Sequence, residues 1–194
     1  PAAVPAANSR GDWASVGVRV MRDPVFWVAA SVVLALLAMA LFGPWIAPAD
    51  PQASSMLSRL KPIGTEGHPL GTDELGRDLL SRLIVGARLS LFMGITPVIL
   101  AFVIGSAIGI LAGYAGGFTN TAIMRTIDVF YAFPSVLLAI ALSGALGAGI
   151  GNALLSLTIV FIPPIARVAE SVTTQVRIRD YVEAARASGA GAFT

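Results

Sequence analysis

The sequence predicts an all-α, polytopic membrane protein, and two observations carry that expectation. Charged residues make up 12% of the 194 residues, about half the roughly 25% usual in soluble domains. The deficit is also uneven. Residues 25–49, 89–124 and 129–166 contain no Asp, Glu, Lys, Arg or His. A spanning helix needs about 20 mostly apolar residues, and each run exceeds that. Length and breaks within the runs divide them into about four transmembrane helices.

The elements follow in order. Residues 1–12, rich in Pro and Ala, read as a disordered start. Residues 13–23, with Arg19 and Arg22 and with Arg10 close by, read as a short amphipathic entry at the membrane surface. Together, residues 1–24 form an N-terminal tail on the cytoplasmic side. Residues 25–46 form the first span, with Trp27 and Trp45 near its two ends, where aromatic rings favour the interface. A cleaved signal peptide competes with this reading, because Ala47-Pro48-Ala49 resembles a small-residue cleavage site. The run exceeds the usual apolar core of 7–15 residues and a proline sits inside the site, so a retained anchor is preferred.

Residues 47–88 form an external loop with an amphipathic helix. Asp50-Pro51 and Lys61-Pro62-Ile63-Gly64 mark turns, and His68, beside Pro69, reads as a turn residue. From Asp73 the pattern becomes helical, with Leu75, Leu79, Leu83 and Ala87 at four-residue spacing. Asp73–Arg77 and Asp78–Arg82 then stand as i,i+4 pairs. The second span runs from Leu89 to about Gly113, with a bend expected at Pro97. Gly105, Gly109 and Gly113 recur every four residues as a ridge that lets helices approach closely. Residues 114–120 read as a glycine-rich turn. Arg125 and Asp128 stand three apart at the membrane edge, as an interfacial ion pair or part of a permeation path.

The third span covers residues 129–146, with Pro134 near its start. A fourth begins at Ala153 and is kinked by Pro163-Pro164. It turns polar from Arg167 and projects out of the membrane. At its far end Asp180 can cap a short helix, with Glu183 bonding back to the cap. Ala184 and Ala185 leave a smooth surface, and Gly189 can end the helix in a left-handed turn. The product suits docking into a groove on another protein. Counting Lys and Arg near the spans favours a cytoplasmic N-terminus, although the outer loop holds Arg59, Lys61, Arg77, Arg82 and Arg88.

Several function classes are excluded. With no cysteine there is no disulfide framework and no thiol chemistry. No basic cluster with interleaved aromatics suggests nucleic acid. An intramembrane hydrolase fails because Ser106, Ser135, Ser143 and Ser156 have no His or Lys in the spans to activate them. No phosphate-binding Gly-x-x-x-x-Gly-Lys-Ser/Thr loop exists, and Lys61 is the single lysine.

The stretch Glu183-Ala184-Ala185-x-x-x-Gly189 resembles the EAA loop of binding-protein-dependent ABC importer permeases. Two further stretches resemble the dipeptide/oligopeptide "C" subunits. One is His68-Pro69-Leu70-Gly71-Thr72-Asp73-Glu74-Leu75-Gly76-Arg77-Asp78, continuing to Arg82 and Gly86-Ala87-Arg88. The other is Gly113-Tyr114-x-Gly116-Gly117 with Met124-Arg125-x-x-Asp128 and Ala132-Phe133-Pro134. Asn120 departs from the aspartate usual there, and Glu170 from a second arginine. The resemblance implies that residues 89–194 begin a permease domain ending in a coupling helix built on Glu183, Ala184, Ala185 and Gly189. It also implies about four of six expected spans, the C-terminal part being absent. Its partners would be cytoplasmic ATP-binding subunits that hold ATP and Mg, a sister permease, an extracytoplasmic solute-binding protein and the bilayer of the cell (inner) membrane. The chain itself would hold no cofactor and catalyse nothing. A secondary transporter driven by an ion gradient is the alternative. It would call for ionisable groups in mid-span, which the charge-free runs lack, or for paired broken helices, and sodium coupling through carbonyls stays open.

Overall fold

A computed structural model describes residues 18–189 and 191. The expected disordered start and residues 13–17 of the amphipathic entry lie outside these residues; residues 18–22 are helical. Helices account for most of the chain: α1 (Pro24–Ile46), α2 (Leu79–Ala115), α3 (Gly117–Tyr131), α4 (Ser135–Leu146), α5 (Ile150–Arg177) and α6 (Asp180–Ala187), with a 3-10 turn at Met56–Ser58. Among the described residues there is no strand, only isolated bridges pairing Thr65 with His68 and Thr72 with Asp78. The protein is an all-α, multi-pass membrane protein. Among the described residues three helices, α1, α2 and α5, are long and apolar enough to cross a membrane. The bent pair α3 and α4 makes a fourth crossing if counted as one span.

Two compact units divide the chain, Pro1–Leu91 and Phe92–Thr194. In the first, Asp23 caps α1 by accepting from Val25 N at 2.9 Å, with Pro24 in the first turn. That turn suits proline, whose missing N–H would have had no partner there. At about 1.5 Å per residue, α1 measures about 34 Å, enough to cross the hydrocarbon core of about 30 Å. Only Gly43 on it is buried, where its backbone meets Ile84 of α2.

The amphipathic helix expected from Asp73 starts six residues later. Asp73 and Asp78 spend their carboxylates on backbone N–H groups, which competes with helix. Asp73 Oδ1 accepts from Leu75 N at 2.8 Å and Arg77 N at 2.9 Å. Asp78 caps α2 through Ser81 N at 2.8 Å. The i,i+4 pairs therefore do not form, and Arg82 pairs with Asp73 instead. Once started, α2 continues without interruption through Pro97.

In the second unit α5 is the central element, packing against α3, α4 and α6. The glycine-rich turn expected at residues 114–120 shrinks to Gly116, whose φ of +66° breaks the chain between α2 and α3. The expected third span is not one helix. Pro134 ends the preceding helix, and α4 leaves at 87° to α3. Pro163 and Pro164 lie inside a single continuous α5.

Candidate functional site

Three groups of residues carry the recognisable motifs. The glycine ridge lies against α5. A Cβ on Gly109 would stand 2.7 Å from Ala169 Cβ and 2.8 Å from Glu170 N, and closer still to the Ala166 carbonyl oxygen. One on Gly113 would meet Thr173 Cβ at 2.8 Å, and one on Gly105 the Ile162 oxygen at 3.0 Å. Ala101, Ala112 and Ala166 are fully buried. Close approach in lipid gains dispersion contacts where the hydrophobic effect offers little between helices. This glycine face is thus occupied within the chain.

At the end of this seam, polar residues gather. Asn120 Nδ2 donates to Glu170 Oε1 at 2.6 Å and to the Ala112 oxygen at 3.2 Å. The two positions that depart from the family pattern are therefore partners. A hydrogen bond to a carboxylate contributes about 1.5–3 kcal/mol, so the pair ties α3 to α5 without an ion pair. Asp128 does not pair with Arg125, which is exposed. It pairs with Arg167, whose guanidinium lies 5.1 Å from the Tyr131 ring centre. Arg177 Nη1 donates to the Gly113 oxygen at 3.4 Å, and Arg186 of α6 lies 5.7 Å from the Tyr114 ring centre. Both contacts join the end of α2 to the last turns of the chain. Beside the bend, Pro134 opens α4, and a cavity of about 300 Å³ lies between Phe130, Phe133, Ser135 and the Val160–Pro164 stretch of α5.

Helix α6 follows α5 after Ile178. Its cap is Arg179, not Asp180, and no side chain closes the N-terminus; Glu183 N bonds to the Arg179 oxygen at 3.1 Å. Asp180 and Glu183 occupy the first turn and Arg186 the last, the order that the helix dipole favours. Gly189 stands at φ +87°. Glu183, Ala184, Ala185 and Gly189 are all exposed. The helix therefore presents its small residues and its acidic turn outward.

The third group lies in the first unit. Gly71 and Gly76 adopt φ of +77° and +73°, and a Cβ on either would strike a carbonyl oxygen, of Lys61 and Ser55 respectively. Thr72, almost fully buried, donates to the Ser58 oxygen and accepts from Lys61 N at 2.9 Å. Asp78 is 2% exposed. It accepts from Ser81 Oγ at 2.7 Å and lies 3.1 Å from His68 Nδ1, while Ser81 Oγ accepts from Ala49 N at 3.0 Å. Burial alone would raise the Asp78 pKa, but the bonds from Ser81 and His68 outweigh it and hold the carboxyl below its ordinary value. The Asp73 carboxyl is also lowered, chiefly by the Arg77 N–H, against some desolvation. His68 is thus more than a turn residue, because it is a partner of the buried cap. Arg77 Nε is buried without a partner. The Gly-Thr-Asp motif builds a loop clamp, with a cavity of about 140 Å³ between Ser55, Ser58, His68, Gly76 and Asp78. Among the described residues no three His, Cys, Asp or Glu side chains could hold a metal ion.

Comparison with known proteins bears on the family. Residues 105–194 match the family of the binding-protein-dependent transport system inner membrane component. Residues 12–62 match the N-terminal TM domain of oligopeptide transport permease C. The chain is 42% identical over 163 residues to the di/tripeptide transport system permease protein DppC of Pseudomonas aeruginosa, covering 81% of this chain and 54% of that one. It is 40% identical over 168 residues to the probable D,D-dipeptide transport system permease protein DdpC of Escherichia coli, covering 87% and 56%. It is 37% identical over 185 residues to the glutathione transport system permease protein GsiD of Pectobacterium atrosepticum, covering 95% and 62%. The chain thus spans about three fifths of the length of these relatives. Over these two matched stretches the chain belongs with the inner membrane components of binding-protein-dependent transport systems, its N-terminal part matching oligopeptide transport permease C.

Proposed function

We propose that this chain forms part of the transmembrane subunit of an ATP-driven importer of peptides or a similar small solute. The observation that carries the reading is α6, whose Glu183, Ala184 and Ala185 are exposed just beyond the last turn of α5. Helix α5 is held to α2 through the glycine seam and to α3 through Asn120 and Glu170. A push on α6 therefore reaches helices that would line the path. Such transmission couples two distinct sites through elements with two arrangements.

In this reading cytoplasmic ATP-binding subunits hold ATP and Mg and dock on α6. A sister permease completes the path, and an extracytoplasmic binding protein delivers the solute. The N-terminus is cytoplasmic, and residues 47–88 face outward. Because the glycine ridge is occupied by α5, the sister permease packs on another face. Membership of the binding-protein-dependent family favours this reading over a carrier driven by an ion gradient. The test is solute uptake by the complete permease carrying Glu183→Arg, which reverses the charge at the docking face. Uptake should fall at least tenfold with membrane insertion intact, and normal uptake would remove the coupling role.

A further inference from the structure

The segment from Met56 to Ile63 carries an apolar surface that the transport reading leaves unused. Met56 is 77% exposed, Leu57 95%, Leu60 62% and Ile63 78%. All four lie outside the spans, within eight residues of a polar loop. Leu60 adopts φ +52°, a left-handed conformation uncommon for any residue but glycine. The backbone is held there from both sides, by Leu60 N on the Asp73 oxygen at 3.2 Å and Lys61 N on Thr72 Oγ1 at 2.9 Å. The outward apolar knuckle is therefore fixed by the fold.

The same unit also sets its height. Trp45, 82% exposed on the last turn of α1, marks the interfacial level. Near it Gly43 meets Ile84, and Ala49 N bonds to Ser81 Oγ, so α1 and the start of α2 leave the membrane together. Asp78 sits directly at that start, Thr72 bridges to Asp78, and Ser58 and Lys61 bond to Thr72. The knuckle is thus joined to the start of α2 through Thr72, by two successive hydrogen-bonded links. The headgroup layer is about 5–8 Å deep on each side of the bilayer, and a loop tied this closely to the helix ends stands beside it.

We propose that residues 56–63 rest on the phospholipid headgroup layer of the membrane that α1 and α2 cross. Leu57 and Leu60 reach toward the acyl boundary, and Arg59 and Lys61 take lipid phosphates. Charge decides for lipid over a protein partner. Arg59 is exposed, Lys61 half-exposed, and neither makes an ion pair among the described residues, whereas Arg82 is held by Asp73. Basic residues alternating with large apolar ones are the composition that binds an anionic interface. The proposal also gives the two cations a role in a loop that is otherwise unusually basic for an outer one.

The 194 residues contain no cysteine; with any cysteine elsewhere in the complete permease replaced by serine, one nitroxide label at Leu57→Cys can be compared with labels at the exposed loop positions Gln52→Cys and Glu66→Cys. The complete permease is placed in vesicles of phosphatidylcholine with phosphatidylglycerol. The label at 57 should be several-fold more accessible to oxygen than to a nickel chelate, with the reverse at 52 and 66. Adding Arg59→Gln and Lys61→Gln should move the label at 57 toward the chelate. A label at 57 as chelate-accessible as that at 52 would overturn the proposal. So would protection from both reagents, which would mean a protein occupant, or indifference to the two charge removals.

Discussion

Replacing Gly109 with alanine should force α2 and α5 apart at the most crowded point of their seam. The added methyl would stand 2.7 Å from Ala169 Cβ and 2.8 Å from Glu170 N, and nearest of all to the Ala166 carbonyl oxygen. Backbone and a Cβ have no rotamer to yield, so the helices must separate by about 1 Å to restore normal van der Waals spacing of about 3.5–4 Å. Overpacking of this kind costs about 1–3 kcal/mol. Gly94, on the same helix, has nothing within 4 Å of a built Cβ. Alanine there should instead stabilise by about 0.4–1 kcal/mol, by restricting the unfolded chain. At about 2–4 °C per kcal/mol for a chain of this size, the two variants should move the melting temperature in opposite directions. Thermal unfolding of the purified permease in one detergent reads the difference. Gly113→Ala and Gly105→Ala should fall between them in that order. Equal melting temperatures for Gly109→Ala and Gly94→Ala would refute a close-packed seam.

Two further predictions concern ionised groups. The Asp78 carboxyl is held below its ordinary value when folded, so the unfolded loop binds its proton first as pH falls. Its contribution is complete above the ordinary carboxylate value of about 3.9 and is lost as pH drops through the lower folded value. Amide exchange in residues 68–81 should stay constant from neutral pH to about 5, after correction for intrinsic rates, and accelerate below about 4; Asp78→Asn should shrink that step to the part that Asp73, also lowered, contributes. By contrast, the Asp128–Arg167 pair is half exposed, at 39% and 50%. A double-mutant cycle with Asp128→Asn and Arg167→Gln should return at most about 1 kcal/mol.

The spans were legible because desolvation writes them into the sequence as charge-free runs, and the glycine ridge because close helix packing leaves small residues at fixed spacing. The helix starts were less so. The four-residue spacing from Leu75 onward is real, yet Asp73 and Asp78 satisfy backbone N–H groups and delay α2 to Leu79. Likewise a cap was expected at Asp180, but the chain turns helical there and Arg179 takes the cap position. The 87° bend at Pro134 was beyond reach, since a proline near a span start is compatible with either a straight or a broken helix. Partners distant in sequence were also beyond it. Asn120 with Glu170, and Asp128 with Arg167, are separated by 50 and 39 residues, and local spacing instead suggested Arg125. The one signal available was that Asn120 and Glu170 both departed from the family pattern.

If an ATPase acts on this chain through α6, a single preparation shows it. The complete permease, with Glu183 or with Glu183→Arg, is purified from membranes in mild detergent, and the co-purifying subunits and their ATPase rate are measured together. ATP-binding subunits with solute-dependent ATPase activity are expected in the first sample, and loss of the subunits or of the solute dependence in the second. Identical subunit recovery and identical solute-dependent activity in both samples would contradict it.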